Sequence, residues 1–249
     1  MRDARVKQKR NSEKTHSEHK QRTFGSENEF VKWNDRMFVK YNNERVYYHP
    51  NPLIRWVEHE RVCTLLRFAR PQDNENVLEV GCGEGYIMRK LKHGNLYGID
   101  ISKIAIDRAK ERLRGNPQVR KLAVANAERI PFPKNTFDVV YCSEVIEHVL
   151  DPEKVIGEMV RVAKSNARIV ITFPNEQLIN RLKSIVKATG LFKLLLPNIP
   201  ERMDDEWHLH AFSRSLFNKV IQGKLVVRRM RGAPLSILPI RYVALCKRA

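Results

Sequence analysis

The stretch Val77-Leu78-Glu79-Val80-Gly81-Cys82-Gly83-Glu84-Gly85-Tyr86-Ile87 decides the fold. Val77, Leu78 and Val80 are strand formers. Gly81, Gly83 and Gly85 recur at every second position, which suits a backbone that turns sharply and approaches a ligand without Cβ atoms in the way. The reading is a strand, a glycine turn and a helix over 85–92 whose free N–H groups point at the turn. Several kinds of nucleotide site share such a turn, so it is weak evidence alone. Three later blocks strengthen it. Leu96-Tyr97-Gly98-Ile99-Asp100-Ile101-Ser102 is a second apolar strand that ends in an acid 15 residues past Gly85. A parallel strand there brings a carboxylate to a ribose, whose vicinal hydroxyls it can accept together. Asn126-Ala127-Glu128-Arg129-Ile130-Pro131-Phe132 follows a third strand, Val119 to Val124. Phe137-Asp138-Val139-Val140-Tyr141-Cys142-Ser143-Glu144-Val145-Ile146-Glu147-His148-Val149 is the fourth block.

The four blocks in this order resemble the class I S-adenosylmethionine-dependent methyltransferases, of the small-molecule, type 11-like branch, closely over Val77 to Asn175. The resemblance implies an α/β, Rossmann-like fold: a seven-stranded, mostly parallel sheet with helices on both faces and an antiparallel C-terminal strand pair. It implies that Glu79 and the backbone of Gly81, Cys82 and Gly83 hold the methionine end of the cofactor, with Gly85 completing the turn. Asp100 binds the ribose, Ile101 packs on the adenine, and Asn126 and Ala127 address the adenine edge. Many relatives carry Asp where this chain has Asn126. Ser143 joins the set at a strand end. The alternative, an NAD site, is disfavoured by the G-x-G-x-G spacing and by the downstream block.

The alternation supports the same fold from the residues alone. Strands at 77–80, 96–99, 119–124, 137–142 and 167–172 are interleaved with helices at 85–92, 103–113 and 152–163, which argues a parallel sheet covered on both faces. Ligands of such sheets bind at the carboxyl ends of the strands. The glycine turn, Asp100, Asn126 and Ser143-Glu144 all fall there.

Upstream, Ser26 opens a helix with Glu29 completing a capping box, and Phe30, Trp33, Met37, Phe38 and Tyr41 share one face. Asn51-Pro52 starts a second helix with Leu53, Val57, Leu65 and Leu66 inward, and Pro71 ends it. Tyr47, Tyr48, His49 and Trp56 either line the pocket or pack on the sheet. Residues 1–25 read as a disordered basic arm and 26–249 as the methyltransferase domain. Within that domain, 174–212 is a lid or insertion. It has Leu178, Leu182, Ile185 and Val186 on one face, with Arg181, Lys183 and Lys187 largely elsewhere, and continues through Leu191 to Leu196. A cationic amphipathic stretch can cover an acceptor pocket or lie on a membrane surface. A helix at Ser213 to Gln222 and strands Leu225 to Met230 and Tyr242 to Lys247 close the chain.

The net charge of +18 is uneven. Residues 207–249 hold nine Lys/Arg and no acid. Arg228, Arg229, Arg231 and Arg241 flank the last hairpin, which argues for an anionic acceptor. Cys63, Cys82, Cys142 and Cys246 form no C-x-x-C pair, so neither zinc nor a disulfide framework is indicated. No run of ~18 apolar residues marks a membrane span, and a charged N-terminus without an apolar signal core makes a cytoplasmic location the default.

Glu144, Glu147 and His148 form E-x-x-E-H, and on a helical turn they share one face. Two carboxylates and an imidazole can coordinate Mg²⁺ or Mn²⁺, with a fourth ligand from His208 in Trp207-His208-Leu209-His210. Ubiquinone-pathway O-methyltransferases carry a similar block. Small-RNA 3′-terminal 2′-O-methyltransferases use two glutamates and two histidines around a metal. Without a metal, His148 or Glu144 is the candidate general base, and Glu147 is a structural residue. The expected catalytic set is therefore Glu144, His148 and His208. Expected partners are S-adenosylmethionine and a small or lipid-like hydroxyl acceptor. RNA 2′-O-methylation and a non-catalytic cofactor-binding protein stand as alternatives.

Overall fold

The structure, a computed structural model, describes residues 22–41, 47–190 and 207–249. Most of the expected basic arm and the Leu191 to Leu196 stretch lie outside the described residues. Helix α1 is Glu27–Tyr41 and helix α2 is Pro52–Ala69. Then come β1 (Asn76–Val80), β2 (Asn95–Asp100), α3 (Lys103–Arg112), β3 (Val119–Val124), β4 (Phe137–Ser143), α4 (Pro152–Val162), β5 (Ala163–Pro174), α5 (Glu176–Ala188), α6 (Arg214–Ile221), β6 (Leu225–Leu235) and β7 (Leu238–Arg248).

Helix starts follow the expected capping chemistry. Glu29 N–H donates to Ser26 Oγ (3.2 Å), and the Glu29 carboxylate accepts from Gly25 N–H (2.9 Å). Asn51 Oδ1 accepts from Leu53 N–H ahead of α2, and Ser102, Asp151 and Ser213 cap α3, α4 and α6 in the same way.

The seven strands form one sheet in the order β3-β2-β1-β4-β5-β7-β6. The first five run parallel, and β7 pairs antiparallel with both β5 and β6. Adjacent residues feed opposite layers. Leu78, Val140, Ile171 and Ala244 pack with α4 and α6. Val77, Val139, Val170 and Val243 pack in the other layer, with α2 and α3. Both faces are covered, so these strands read as continuous apolar runs without strict alternation. The order reverses at β1, whose neighbours are β2 and β4, and this opens a crevice at the carboxyl end of β1.

Some expectations need correction. In place of a helix over 85–92 there is one 3-10 turn, Met88–Lys90. Only residues 86–94 join Gly85 to β2, and Gly94 at φ +95° turns the chain back, so a full helix has no room. Leu53 is exposed rather than inward: it lies in the first turn of α2, whose buried residues begin at Val57. The last two strands are 11 residues each, longer than the apolar runs alone suggested. In α5 only Glu176 is buried, and Ile185 is 62% exposed.

Phe173 in β5 is fully buried, stacks on Phe217 of α6 at 4.4 Å between ring centroids and meets Phe212 at 5.9 Å. Phe173→Ala is expected to lower the unfolding free energy by about 3–5 kcal/mol in urea titrations. A loss under about 1 kcal/mol would mean that this aromatic cluster does not anchor the C-terminal layer.

Candidate active site

The glycine turn is held over the end of β2 by its own backbone. Gly81 and Cys82 N–H groups both donate to Ile99 O, at 2.8 and 2.9 Å. Gly81 and Gly83 sit at φ +72° and +50°, the left-handed region that glycine tolerates. A Cβ on Gly81 would come within 2.2 Å of Val145 Cγ2, so the turn also presses on the loop after β4. Gly83 N–H donates to Asp100 Oδ2 (2.8 Å), and Ser102 N–H donates to Asp100 Oδ1 (2.9 Å). Each carboxylate oxygen keeps a further lone pair for a ligand. Burial raises the Asp100 carboxyl above its ordinary range, and these N–H bonds oppose that rise.

Asp100, Ile101, Asn126, Ala127, Ser143 and Glu144 line one crevice together with Gly81, Gly83 and His148. It encloses roughly 740 Å³ including its open mouth, within the size range of small-molecule sites. Phe30, Asn34 and Phe38 of α1 and Trp207, which packs on His148 at 4.6 Å, complete its lining. The Asn126 amide is oriented on both sides, with Oδ1 accepting from Glu128 N–H (2.9 Å) and Nδ2 donating to Glu27 of α1 (3.1 Å).

A smaller chamber continues from the shared Gly81, Gly83 and Ser143 to Glu79, Cys82 and Tyr47. Glu79 is 2% exposed and accepts from Tyr141 Oη (2.9 Å). Burial pushes its carboxyl up to about 8. Tyr47 stacks on Tyr86 at 3.6 Å, and burial raises its phenol to about 12. Gly85 is not on either wall; its Cβ would strike Leu113 Cδ1 at 2.7 Å, so its role is to let α3 approach the turn. Tyr48 and Trp56 are exposed. Of the four aromatic and histidine candidates before the sheet, Tyr47 reaches the site.

Behind Ser143 lies a network that sequence reasoning missed. Arg61 is 2% exposed. Its guanidinium donates to Ser143 Oγ (2.5 Å), Thr172 Oγ1 (3.3 Å) and Tyr47 Oη (3.3 Å) and pairs with Glu58 (2.8 Å). Arg61 is one apolar-face position of α2, and its partners at the strand ends, Ser143 and Thr172, lie 82 and 111 residues away, so no local signal marks it. Glu144, at φ +54°, accepts from Thr172 Oγ1 (2.8 Å) and pairs with Arg241 Nε (2.8 Å), which also approaches Glu58 (3.6 Å).

The E-x-x-E-H block forms a tight turn, with His148 N–H donating to Val145 O. Glu147, His148 and His208 converge, with one candidate ligand atom from each within 4.8 Å of the others. Glu144 is not in this group; its carboxylate is drawn to Arg241 instead. Glu147 is 1% exposed, and its Oε2 has no hydrogen-bond partner among the described residues. Burial, with the Glu144 charge adding to it, holds its carboxyl well above the usual range. His148 lines the crevice and places Nδ1 3.2 Å from Trp207 O. His208 stands behind it, 4.8 Å between rings, with Nδ1 2.8 Å from Glu176 Oε1.

Of the arginines read as favouring an anionic acceptor, Arg229 and Arg231 lie on the edge strand β6, separated from β4 by β7 and β5; Arg231 is level through Val243 with Thr172, and neither lines the crevice. Arg241 sits on β7 opposite Pro174, and two glutamates already face it.

Residues 78–171 match the family model described as a methyltransferase domain. Over 123 residues the chain is 31% identical to the ubiquinone biosynthesis O-methyltransferase of Coxiella burnetii, covering 49% of this chain and 53% of that protein. Over 120 residues it is 32% identical to the phosphatidylethanolamine N-methyltransferase of Cereibacter sphaeroides, covering 47% and 59%. The chain spans about half the length of these curated relatives. The crystal structure of a SAM dependent methyltransferase from Aquifex aeolicus superposes with a TM-score of 0.60 at 16% identity, covering 83% of this chain and 98% of that one. This last likeness is one of fold.

The raised Glu79 carboxyl gives a pH test. The folded state holds this proton more tightly than the unfolded chain, so stability falls as pH rises from about 4.5 to about 8 and levels off above. Glu79→Gln removes that component and is expected to gain roughly 2–4 kcal/mol on the parent at pH 9 relative to pH 5. Urea titrations at the two pH values measure it. Equal pH slopes in parent and variant would show that Glu79 ionises normally.

Proposed function

We propose that this chain, whose residues 78–171 match a methyltransferase-domain model, is a class I S-adenosylmethionine-dependent methyltransferase that methylates a hydroxyl of a small or lipid-like acceptor. The observation that carries the cofactor reading is the Asp100 carboxylate, fixed by two backbone N–H groups at the tip of β2 beside a glycine turn. Its remaining lone pairs suit a ribose diol. When bound, S-adenosylmethionine supplies a methyl group on a cationic sulfur, open to in-line displacement by an acceptor oxygen.

The chain's own residues fit that group. Ile101 and Ala127 offer apolar surface to the adenine, and Asn126 offers its edge an oriented amide. The N–H groups of Gly81, Cys82 and Gly83 are already engaged by Ile99 and Asp100. The turn therefore receives the methionine end through its carbonyl oxygens and its lack of side-chain bulk. Glu79 lies beside it, and a cationic ammonium there favours the ionised carboxylate. Ser143 joins the two chambers. His148 stands on the acceptor wall. Its Nδ1 faces a carbonyl, which can only accept, so Nδ1 carries the proton and Nε2, 3.9 Å from Glu147 Oε1, is the nitrogen that can take one from the acceptor hydroxyl. Phe30, Phe38 and Trp207 make that wall aromatic, which favours a planar or lipid-like acceptor over a strongly charged one. The two curated relatives, a ubiquinone biosynthesis O-methyltransferase and a phosphatidylethanolamine N-methyltransferase, are in keeping with a lipid-like acceptor, one on oxygen and one on nitrogen. No helix among the described residues is long and apolar enough to cross a membrane.

A second reading is favoured by the convergence of Glu147, His148 and His208 around an unpartnered carboxylate oxygen. This set fits a divalent cation, and with two imidazoles and one carboxylate it suits Mn²⁺ better than Mg²⁺. A cation there selects acceptors with two adjacent oxygens, a catechol or the terminal ribose of an RNA.

Calorimetric titration with S-adenosylhomocysteine tests the cofactor site. Asp100→Asn is expected to weaken binding by about 10–100-fold; unchanged affinity would remove the ribose assignment. Titrating Mn²⁺ into the complex separates the two acceptor readings. Binding that disappears in Glu147→Gln supports the two-oxygen acceptor, and absence of binding eliminates it. Acceptor binding that weakens steeply with salt would identify RNA. Cofactor binding with no transfer to hydroxyl, amine or RNA acceptors would instead make the chain a non-catalytic binding protein.

A further inference from the structure

Glu176 was not singled out by any motif, yet it is the one buried residue of α5, at 2% exposure. It occupies the first position of the helix, behind the Asn175 cap. Its N–H donates to Phe212 O (3.2 Å), and its Oε1 accepts from Phe212 N–H (3.2 Å). The same Oε1 lies 2.8 Å from His208 Nδ1. A carboxylate at a helix start is often only structural, since N-terminal N–H groups and the helix dipole favour it there. The bond to His208 adds something that role does not require. Oε1 also accepts from a backbone N–H, and as a carboxylate oxygen it has no proton of its own to give. The proton of that contact therefore belongs to His208 Nδ1.

We propose that Glu176 is a positioning residue: it holds His208 as the Nδ1–H tautomer and leaves Nε2 as the lone-pair nitrogen of a ring packed against His148 at the acceptor wall. His148 is set the same way by Trp207 O. Both imidazoles thus carry their protons on Nδ1, and each presents Nε2 as the atom that can accept a proton or bind a cation. Glu176 connects the end of β5 to the 208–212 segment that supplies the second imidazole. The value of this to catalysis rests on the methyl-transfer reading; the tautomer itself does not.

The test uses the full chain, labelled with ¹⁵N at histidine and saturated with S-adenosylhomocysteine. Long-range ¹⁵N–¹H correlation spectra are recorded at pH 8, above the ordinary imidazole range of about 6.5. His208→Gln assigns the resonance. His208 is expected to show a protonated Nδ1 and an unprotonated Nε2 in the parent and in Glu176→Gln, whose amide oxygen still accepts. Glu176→Leu, and Glu176→Asp with its shorter reach, are expected to lose that single tautomer while S-adenosylhomocysteine affinity stays within about twofold. A parent His208 protonated at Nε2 would overturn the proposal, even if Glu176→Leu does not fold. An unchanged tautomer in Glu176→Asp would overturn it as well. Methyl transfer is not read, so failure of the functional assignment would leave this result standing on its own.

Discussion

The Asp100 carboxylate is the point on which the rest of the site depends. Its two oxygens pin Gly83 of the glycine turn and Ser102 at the start of α3. Ser102 in turn caps α3 and donates to Asp35 of α1. Ile99 O, one residue before, takes both N–H groups at the head of the turn. One side chain and one carbonyl thereby lock β1, β2, α3 and α1 around a common crevice. Burying a carboxylate is costly unless its hydrogen bonds are made, and these backbone donors are present whether or not a ligand is bound. The crevice is pre-formed, which limits the ordering cost of binding.

Charge is arranged around that crevice in two groups. Glu79 and Asp100 sit beside the glycine turn. On the other side Glu58, Arg61, Arg241 and Glu144 form a chain of buried and half-buried ion pairs. Such pairs add little net stability, because desolvation offsets attraction, but loss of one partner leaves the other's charge buried and uncompensated. Their effect is geometric: they fix Ser143 and Thr172 at the ends of β4 and β5 and withdraw Glu144 from Glu147. The metal-binding potential of the E-x-x-E-H block is thus set by an arginine 97 residues from its first glutamate.

The chain after β5 contributes to the site through a few contacts. Glu176, Trp207 O and the Glu147 carbonyl, which accepts from Leu209 and His210 N–H groups, hold the 207–212 segment against the turn after β4. α5 itself buries little else, so its apolar face is not part of the sheet's core.

The fold was legible in the residues. Val77 to Val80, Leu96 to Asp100, Val119 to Val124 and Phe137 to Ser143 are short apolar runs with the turn chemistry of parallel strands, and the capping residues Ser26, Asn51 and Asp151 mark where helices begin. Gly81, Gly83 and Asp100 at the crevice were legible too, since a glycine turn followed by an acid at a strand end is a local pattern. The sequence by itself therefore determined the alternation of strands and helices, the edge that carries the candidate site and the Asp100 carboxylate at a strand end, because these follow from periodicity and neighbour spacing. It did not determine that Arg61 lies buried behind Ser143, that Arg229 and Arg231 line a sheet edge and not the crevice, that Glu144 pairs with Arg241, or that Glu176 meets His208. Those outcomes depend on which distant side chains the sheet register and the packed helices bring into contact, and residues tens of positions apart carry no local signal of that meeting.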